Sequence, residues 1–536
     1  YNEAWDVDAM SNYNTITSLA ESPKQQGLLY AGTDDGIIQM TEDGGKNWTK
    51  TSVGSIPGVP ATAFVNDIRA DLFDANTVYV AMDNHKYGDF TPYLLKSTNK
   101  GKTWSSISSN IPQGTMVWRL VQDHVKKDLL FAATEFGIYF TINGGGQWTK
   151  LEGGVPTISF RDITIQRREN DLVGASFGRG FYILDDITPL RELTNSTLQQ
   201  DAKLFSTRDA WWYVERPHLS FESGKGSQGD SHFVAPNPDF GAVFTYYLKE
   251  APKTAEAKRK ESEKNYKDSD VPFPGYDALS AESLTEQPQL IFAIENSSGE
   301  IIRKLTTTPK DGINRIAWDL RYPTLEPIML DEKEPLEENE DAPKGLMAPP
   351  GTYKATMYLQ ENGTIKKLDE TITFNVKPLY EGALKGSSPS VTADFWRSYE
   401  TTSREISAFN IEMKKTAQRL TAMEKAANKT NLEPGSLETQ FNAIRNDLNA
   451  LNADIYGNPA KLSIGEKTAP QLGERLFAVY RGIERSTYGP TNTHKNQLQI
   501  ITTQLTGATN RLNAIQQKLE SMYTQLKAAG APYVEK

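Results

Sequence analysis

The chain has 536 residues, a formal net charge of −10, ordinary hydrophobic content and no cysteine. That length suits three to four domains at about 150 residues each. The missing thiols exclude disulfides and thiolate-bound metal, and the acidic balance argues against a nucleic-acid groove or an anionic membrane surface. No apolar stretch approaches the ~18 residues of a membrane-spanning helix.

Residues 1–195 repeat one unit. Its end is an eight-residue phrase, TEDGGKNW (41–48), STNKGKTW (97–104) and TINGGGQW (141–148). Each copy has Ser or Thr first, Asp or Asn third, Gly fifth and Trp eighth. The third residue, Asp43, Asn99 or Asn143, can accept from nearby backbone amides and close a tight turn. Gly45, Gly101 and Gly145 stand where that turn calls for positive φ. Trp48, Trp104 and Trp148 then open the next strand and are expected to wedge between neighbouring sheets.

Larger units align around the phrase. ITSLAES…LLYAGTDDGIIQM, VNDIRAD…TVYVAMDN…YLLK and VWRLVQD…LLFAATEFGIYF each offer three strands before the phrase and one after it. FRDITIQ…LVGASFGRGFYILDD keeps the strands and loses the phrase. The tryptophans recur at 48, 104 and 148, the interval of propeller blades of about 40–50 residues, and the insertion NHKYGDFT (84–91) accounts for the longer first step. The prediction is four blades of an all-β propeller that is incomplete in this chain. The chain opens at Tyr1 without Met, a charged n-region or an apolar h-region. The expectation is a C-terminal portion of a larger protein. An N-terminal remainder of the propeller, in the same precursor or a separate chain, would complete the disc.

PLRELT (189–194) closes the blades, and residues 196–238 form a linker with an aromatic strand. Trp211, Trp212 and Tyr213 in that strand suit either a sugar platform or a seam against the next domain. Residues 239–380 alternate with the period of an antiparallel β-sandwich, interrupted by charged insertions at 251–270 and 328–348. The acidic run 331–341 could attract a hard cation, but it lacks the Gly-punctuated spacing of a calcium loop and reads as a solvated loop. From 388 to 530 the apolar period changes to helical. Leu498, Ile501, Leu505, Leu512, Ile515, Leu519, Met522 and Leu526 make one stripe, with others at 399–423, 437–455 and 472–483. Stripes this narrow predict an antiparallel four-helix bundle. The histidines at 85, 124, 218, 232 and 494 show no metal-ligand spacing, so no metal or cofactor is expected.

The eight-residue phrase is the Asp-box pattern and resembles the repeats of sialidases, xyloglucanases and sortilin-type propellers. GEIIRKL…GINRIAWDLR…PPGTYKATMYL, with Trp318, Asp319, Pro350, Gly351 and Tyr353, resembles the Ig-like module of flagellar hook-capping proteins and related fibronectin-like domains. Those residues are expected to be core and turn residues. In its order of parts, and in the blade exit GRGFYILDDITPL (178–190), the chain resembles large bacterial sortilin-like BNR-repeat proteins, often labelled glycosyl hydrolases. That resemblance implies a secreted, cell-surface or periplasmic bacterial protein. The function expected here is binding and assembly, with a surface glycan or a secreted or outer-membrane protein complex as partner.

The alternative it implies is a glycoside hydrolase with part of its site in the missing blades. Sialidases use an arginine triad with Tyr, Glu and Asp; here Arg119, Arg161, Arg179 and Asp34 are the rim residues available. Xyloglucanases place an aspartate in a segment that YAGTDDG (30–36) resembles, which makes Asp34 the catalytic candidate. In the matching turns of other blades stand Glu135 and Phe177, so Asp34 also reads as a strand-end turn residue. Arg179, between two glycines, is the ligand-binding candidate with Trp211 and Trp212; ion pairing to Asp185 or Asp186 is its plainer alternative.

Overall fold

The computed structural model describes residues 14–215, 235–266, 270–330 and 343–535. The acidic run 331–341, His218 and His232 lie outside the described residues. The chain divides into two compact units. The first holds residues up to Arg208 with Thr245–Pro252 and Pro309–Asn314, and the second holds Asp209–Phe244, Lys253–Thr308 and Arg315–Lys536.

The first unit contains four consecutive antiparallel sheets with the topology of propeller blades. They are β1 (Ile16–Glu21), β2 (Leu29–Thr33), β3 (Ile37–Thr41) and β4 (Thr49–Ser52); β5 (Phe64–Ala70), β6 (Val78–Asn84), β7 (Asp89–Ser97) and β8 (Ser105–Ser106); β9 (Val117–Gln122), β10 (Leu130–Thr134), β11 (Gly137–Thr141) and β12 (Thr149–Lys150); and the three-stranded β13 (Phe160–Gln166), β14 (Asp171–Ser176) and β15 (Phe181–Leu184). Each sheet pairs its strands in chain order.

The seams between blades explain the sequence of the middle strands. Along β6, Val78, Val80 and Met82 pack with Tyr30, Ile38 and Met40 of the first blade. The alternate residues Tyr79 and Ala81 pack with Leu120, Leu130 and Trp148 of the third. A strand buried on both faces reads as an unbroken apolar run, which is why VYVAM carries no polar residue. Phe131 and Ile138 then meet Phe160, Ile163 and Leu172 of the fourth blade. Each such side chain contributes about 1.5–3 kcal/mol on burial.

The Asp-box turns share one hydrogen-bond scheme. The Thr41 hydroxyl donates to Asp43 at 2.8 Å and accepts from the Gly45 amide at 3.0 Å. Asp43 accepts from the amides of Lys46 and Asn47, both at 2.9 Å. Ser97, Asn99 and Gly101 repeat this, as do Thr141, Asn143 and Gly145. The glycines have φ of 95°, 83° and 100°.

The three tryptophans do not share one environment. Trp148 is 3% exposed and its indole donates to the Ile107 carbonyl of the preceding blade. Trp104 packs into the seam with the first blade. Trp48 is 42% exposed and its indole turns back to Gly45. The wedge expected of all three needs a preceding blade, and Trp48 has none among the described residues.

The blades end in α1 (Thr188–Glu192). Arg191 from this turn makes a two-pronged bond to buried Asp123 at 2.8 and 2.9 Å. Burial pushes the Asp123 carboxyl up, but the Arg191 and backbone bonds outweigh it and hold it below the usual range. The segment expected to be a linker carries short strands, β16 (Ala202–Leu204) and β17 (Ala210–Trp212).

In the second unit β17 runs parallel to β24 (Ile372–Pro378), which pairs in turn with β22 (Gly351–Glu361), β19 (Gln289–Glu295) and β20 (Ile301–Thr307). β23 (Thr364–Lys367) pairs with β22, while β18 (Ala242–Leu248) and β21 (Gly312–Trp318) are divided between the two units, at Phe244 and at Asn314. Phe244 packs on Phe292 and Phe374, and Trp318 meets Tyr353 and Phe374 edge-on. The charged insertion 251–270 forms α2 (Ala255–Glu263), capped by Thr254 and tied by Arg259 to Glu282 on α3 (Tyr276–Ser283). No residue of α2 is buried.

The remaining helices are α4 (Pro389–Ala427), α5 (Glu438–Tyr456), α6 (Pro459–Ser463), α7 (Leu472–Glu484) and α8 (Asn492–Ala528). The apolar stripes of α4, α5 and α8 share one core with Leu472 of α7, in which Ile406, Phe409, Ile444, Leu448, Ile501 and Leu512 are buried. Ser388 and Thr491 cap α4 and α8. Ion pairs Arg419–Glu520 and Lys518–Asp447 cross between helices at 2.6 and 2.9 Å.

Candidate functional site

The site in the first unit is built by a fault that the blades repeat. Each inner strand has one residue left without a pairing partner at the same place. Ile16 faces Thr33 and Ser18 faces Gly32, which skips Thr17. Val65 faces Met82 and Asp67 faces Ala81, which skips Asn66. Val117 faces Thr134 and Arg119 faces Ala133, which skips Trp118. Phe160 faces Ser176 and Asp162 faces Ala175, which skips Arg161. A bulge of this kind re-aims its side chain. Thr17, Asn66, Trp118 and Arg161 all line one cavity of about 510 Å³.

A second set of equivalent residues follows the second strand of each blade. These are Asp34, Asp83, Glu135 and Phe177. The amides of Asp34, Glu135 and Phe177 donate to Thr15, Met116 and Ser159, each just before its blade's inner strand. Asp34 and Asp83 line the cavity.

The repeat then diverges in chemistry. The Thr17 hydroxyl donates to the Val65 carbonyl at 2.6 Å, and the Asn66 amide to the Val117 carbonyl at 3.3 Å. Both stitch one blade to the next. Trp118 breaks the pattern: its indole donates to Glu135 at 2.9 Å, and the Ser159 hydroxyl donates to the same oxygen at 2.9 Å. The Arg161 guanidinium lies over the Trp118 ring, 3.7 Å from its centroid, and 5.3 Å from that of Phe177. Its nearest carboxylate oxygen, on Glu135, is 3.8 Å away.

The other charged groups of the cavity are engaged. One Asp34 oxygen accepts from the amides of Asn14 and Thr15 at 3.0 and 2.9 Å. Buried Asp83 contacts His85 Nδ1 and accepts from the His85 amide at 3.2 Å. With Nδ1 held, His85 Nε2 is the ring nitrogen left for another partner. Arg119 donates to the Asn66 carbonyl and sits 3.8 Å from both Asp67 and Asp162. Burial pushes the Asp67 carboxyl up, against the pull of Arg69. The insertion 84–91 is anchored by Asp89, which accepts from the Tyr93 hydroxyl at 2.6 Å and the Thr91 amide at 3.1 Å.

The structure therefore gathers Asp34, Arg119 and Arg161, three residues the sequence could only name separately. Arg179 is elsewhere: it is exposed in the turn between β14 and β15 and does not line the cavity. Trp211 and Trp212 belong to the second unit. There Trp212 is buried against Trp396 on α4, with ring centroids 6.1 Å apart, while Trp211 is exposed. Asp83, His85 and Trp118 escaped the sequence reading. Two signals marked them: VYVAMD aligns with LYAGTD, which puts Asp83 in register with Asp34, and the insertion 84–91 follows directly. Among the described residues no group of three or more His, Asp or Glu side chains could hold a metal ion. No described helix is long and apolar enough to cross a membrane.

No protein-family model matches the chain, and no curated protein matches it. Among solved structures it is similar to YCF48 bound to D1 peptide, at 16% identity and a TM-score of 0.25 over 33% of this chain and 53% of that one. It is also similar to the Niastella koreensis GH74 enzyme, at 18% identity and 0.27, over 32% of this chain and 29% of that one. The extracellular domain of the hybrid two component system BT3049 from B. thetaiotaomicron is similar at 12% and 0.27, over 70% of this chain and 40% of that one. The chain thus spans about half of the YCF48 protein matched and a smaller share of the other two. Likenesses this distant say nothing about the chemistry of the cavity.

Proposed function

We propose that the protein is a secreted or cell-surface binding and assembly protein whose propeller cavity recognises a ligand without hydrolysing it. The observation that supports this most is the state of its carboxylates. Glycoside hydrolysis needs two carboxyl groups across a cleft, one protonated to act as acid and one available as base or nucleophile. Asp34 spends an oxygen on two backbone amides, and Asp83 is bound to His85. One carboxylate oxygen committed to amides and one carboxylate committed to an imidazole support recognition over hydrolysis.

The remaining parts extend the reading. We take the β-strands of the second unit as belonging to an Ig-like sandwich and its long helices as an antiparallel four-helix bundle that docks or spaces the propeller. Exposed Ile16, Leu19 and Trp48 on the first blade, and Phe181 and Ile183 on the fourth, suit further blades as partners of the disc.

The test is a glycan array on the whole chain, paired with reducing-sugar release from β-glucans and sialosides. Binding without release is expected. Sugar release that disappears in Asp34→Asn or Asp83→Asn would instead establish the hydrolase alternative.

A further inference from the structure

We propose that Arg161 is the anion-recognising residue of this cavity, and that the ligand is a saccharide carrying an oxyanion, either a uronate carboxylate or a sulfate ester. The inference rests on the binding reading above and adds the chemistry of the ligand.

The internal repeat supplies the comparison. At the same bulge, Thr17 and Asn66 spend their donors forward, on a carbonyl of the next blade. Arg161 points backward instead, onto Trp118 and towards Glu135 of the third blade. Trp118 also abandons the forward stitch, although the fourth blade follows it. The two departures are adjacent and depend on each other. Glu135 fixes the indole, and the indole face holds the guanidinium flat. In a repeat whose other members agree, a paired departure is where function is expected.

The chemistry follows from the geometry. A guanidinium stacked on a ring keeps its N–H groups in its own plane, directed past the ring edge. There they form a fork that matches two oxygens of one anion. Glu135 does not consume that fork, since its Oε2 lies 3.8 Å away and already accepts from Trp118 and Ser159. Arg161 makes no hydrogen bond to a described residue and is 43% exposed. Stacking has already restricted the side chain, so an arriving anion has little left to order. The rest of the wall favours a saccharide over an apolar peptide. Phe64 and Tyr87 line the cavity with aromatic rings, and Asp34, His85 and Lys86 line it with polar groups suited to hydroxyls.

The test is equilibrium binding of three oligosaccharides of matched length to the whole chain: oligogalacturonate (carboxylate only), a keratan sulfate fragment (sulfate only) and a fully N-acetylated chitin oligosaccharide (neutral). One charged probe is expected to bind at least about tenfold tighter than the neutral one, and which one identifies the oxyanion. Arg161→Gln is expected to weaken that probe by about tenfold to a hundredfold, with the neutral probe unchanged. Arg161→Lys keeps the charge, loses the fork, and is expected to recover only part of the affinity. Equal affinity for charged and neutral probes would overturn the clamp and leave the binding reading standing. Binding of none of the three would sink both. A lowered Tm in Arg161→Gln with charged-probe affinity unchanged would assign Arg161 to blade packing and also overturn the proposal.

Discussion

Replacing Arg191 with leucine is expected to destabilise the first unit by about 3–5 kcal/mol, the cost of breaking a buried ion pair from one side. Asp123 is fully buried, at 0% exposure. It would lose two charge-assisted bonds, at 2.8 and 2.9 Å, each contributing about 1.5–3 kcal/mol. It would keep the Lys126 and Val125 amides at 2.7 and 3.2 Å, which limits the loss to the lower part of the sum. The pair is not symmetric. Arg191 also bonds Asn170 at 2.8 Å, so Asp123→Asn leaves it with a partner and is expected to cost less, about 1–2 kcal/mol. The pH dependence has a definite sign. The folded Asp123 carboxyl is held low, first against burial and then by Arg191. Its contribution is therefore present above the ordinary carboxylate pKa of about 4 and is lost as the pH falls through the lower folded value. The assay is urea unfolding of the first unit, followed by tryptophan fluorescence at several pH values. A loss below about 1 kcal/mol in Arg191→Leu, or a larger loss in Asp123→Asn than in Arg191→Leu, would refute this account of the pair.

Asp67 is expected to show the opposite pH trend. Burial raises its carboxyl, so its contribution is present below the unfolded pKa and falls as pH rises through the folded value; Asp67→Asn removes that slope from the urea midpoint plotted against pH. Trp148→Ala is expected to cost about 3–5 kcal/mol and Trp48→Ala under about 1 kcal/mol in the same unfolding measurement, because only the first empties a seam. Gly145→Ala is expected to lower Tm more than Gly44→Ala. Both have positive φ, but only at Gly145 would the new Cβ fall 2.8 Å from Ile107.

Much of the architecture is local and was legible in the chain. The Asp-box turn closes within a few residues, so Thr41, Asp43 and Gly45 specify it without outside help. The apolar run of β6 announces burial on both faces, and the stripe from Leu498 to Leu526 announces one helix face. The binding cavity is different in kind. Its ring is Thr17, Asn66, Trp118 and Arg161, whose common bulge depends on strand register and whose meeting depends on blade-to-blade packing. No sequence spacing reveals that a guanidinium rests on an indole from the preceding blade, or that Asp34 is spent on two amides. By itself the sequence determined the hairpins, the blades and the helical stripes, because each is set by neighbours along the chain. Only the tertiary structure decided which tryptophan is buried, which carboxylates are engaged and which arginine faces the cavity, because those outcomes depend on how strands and blades pack and not on local sequence.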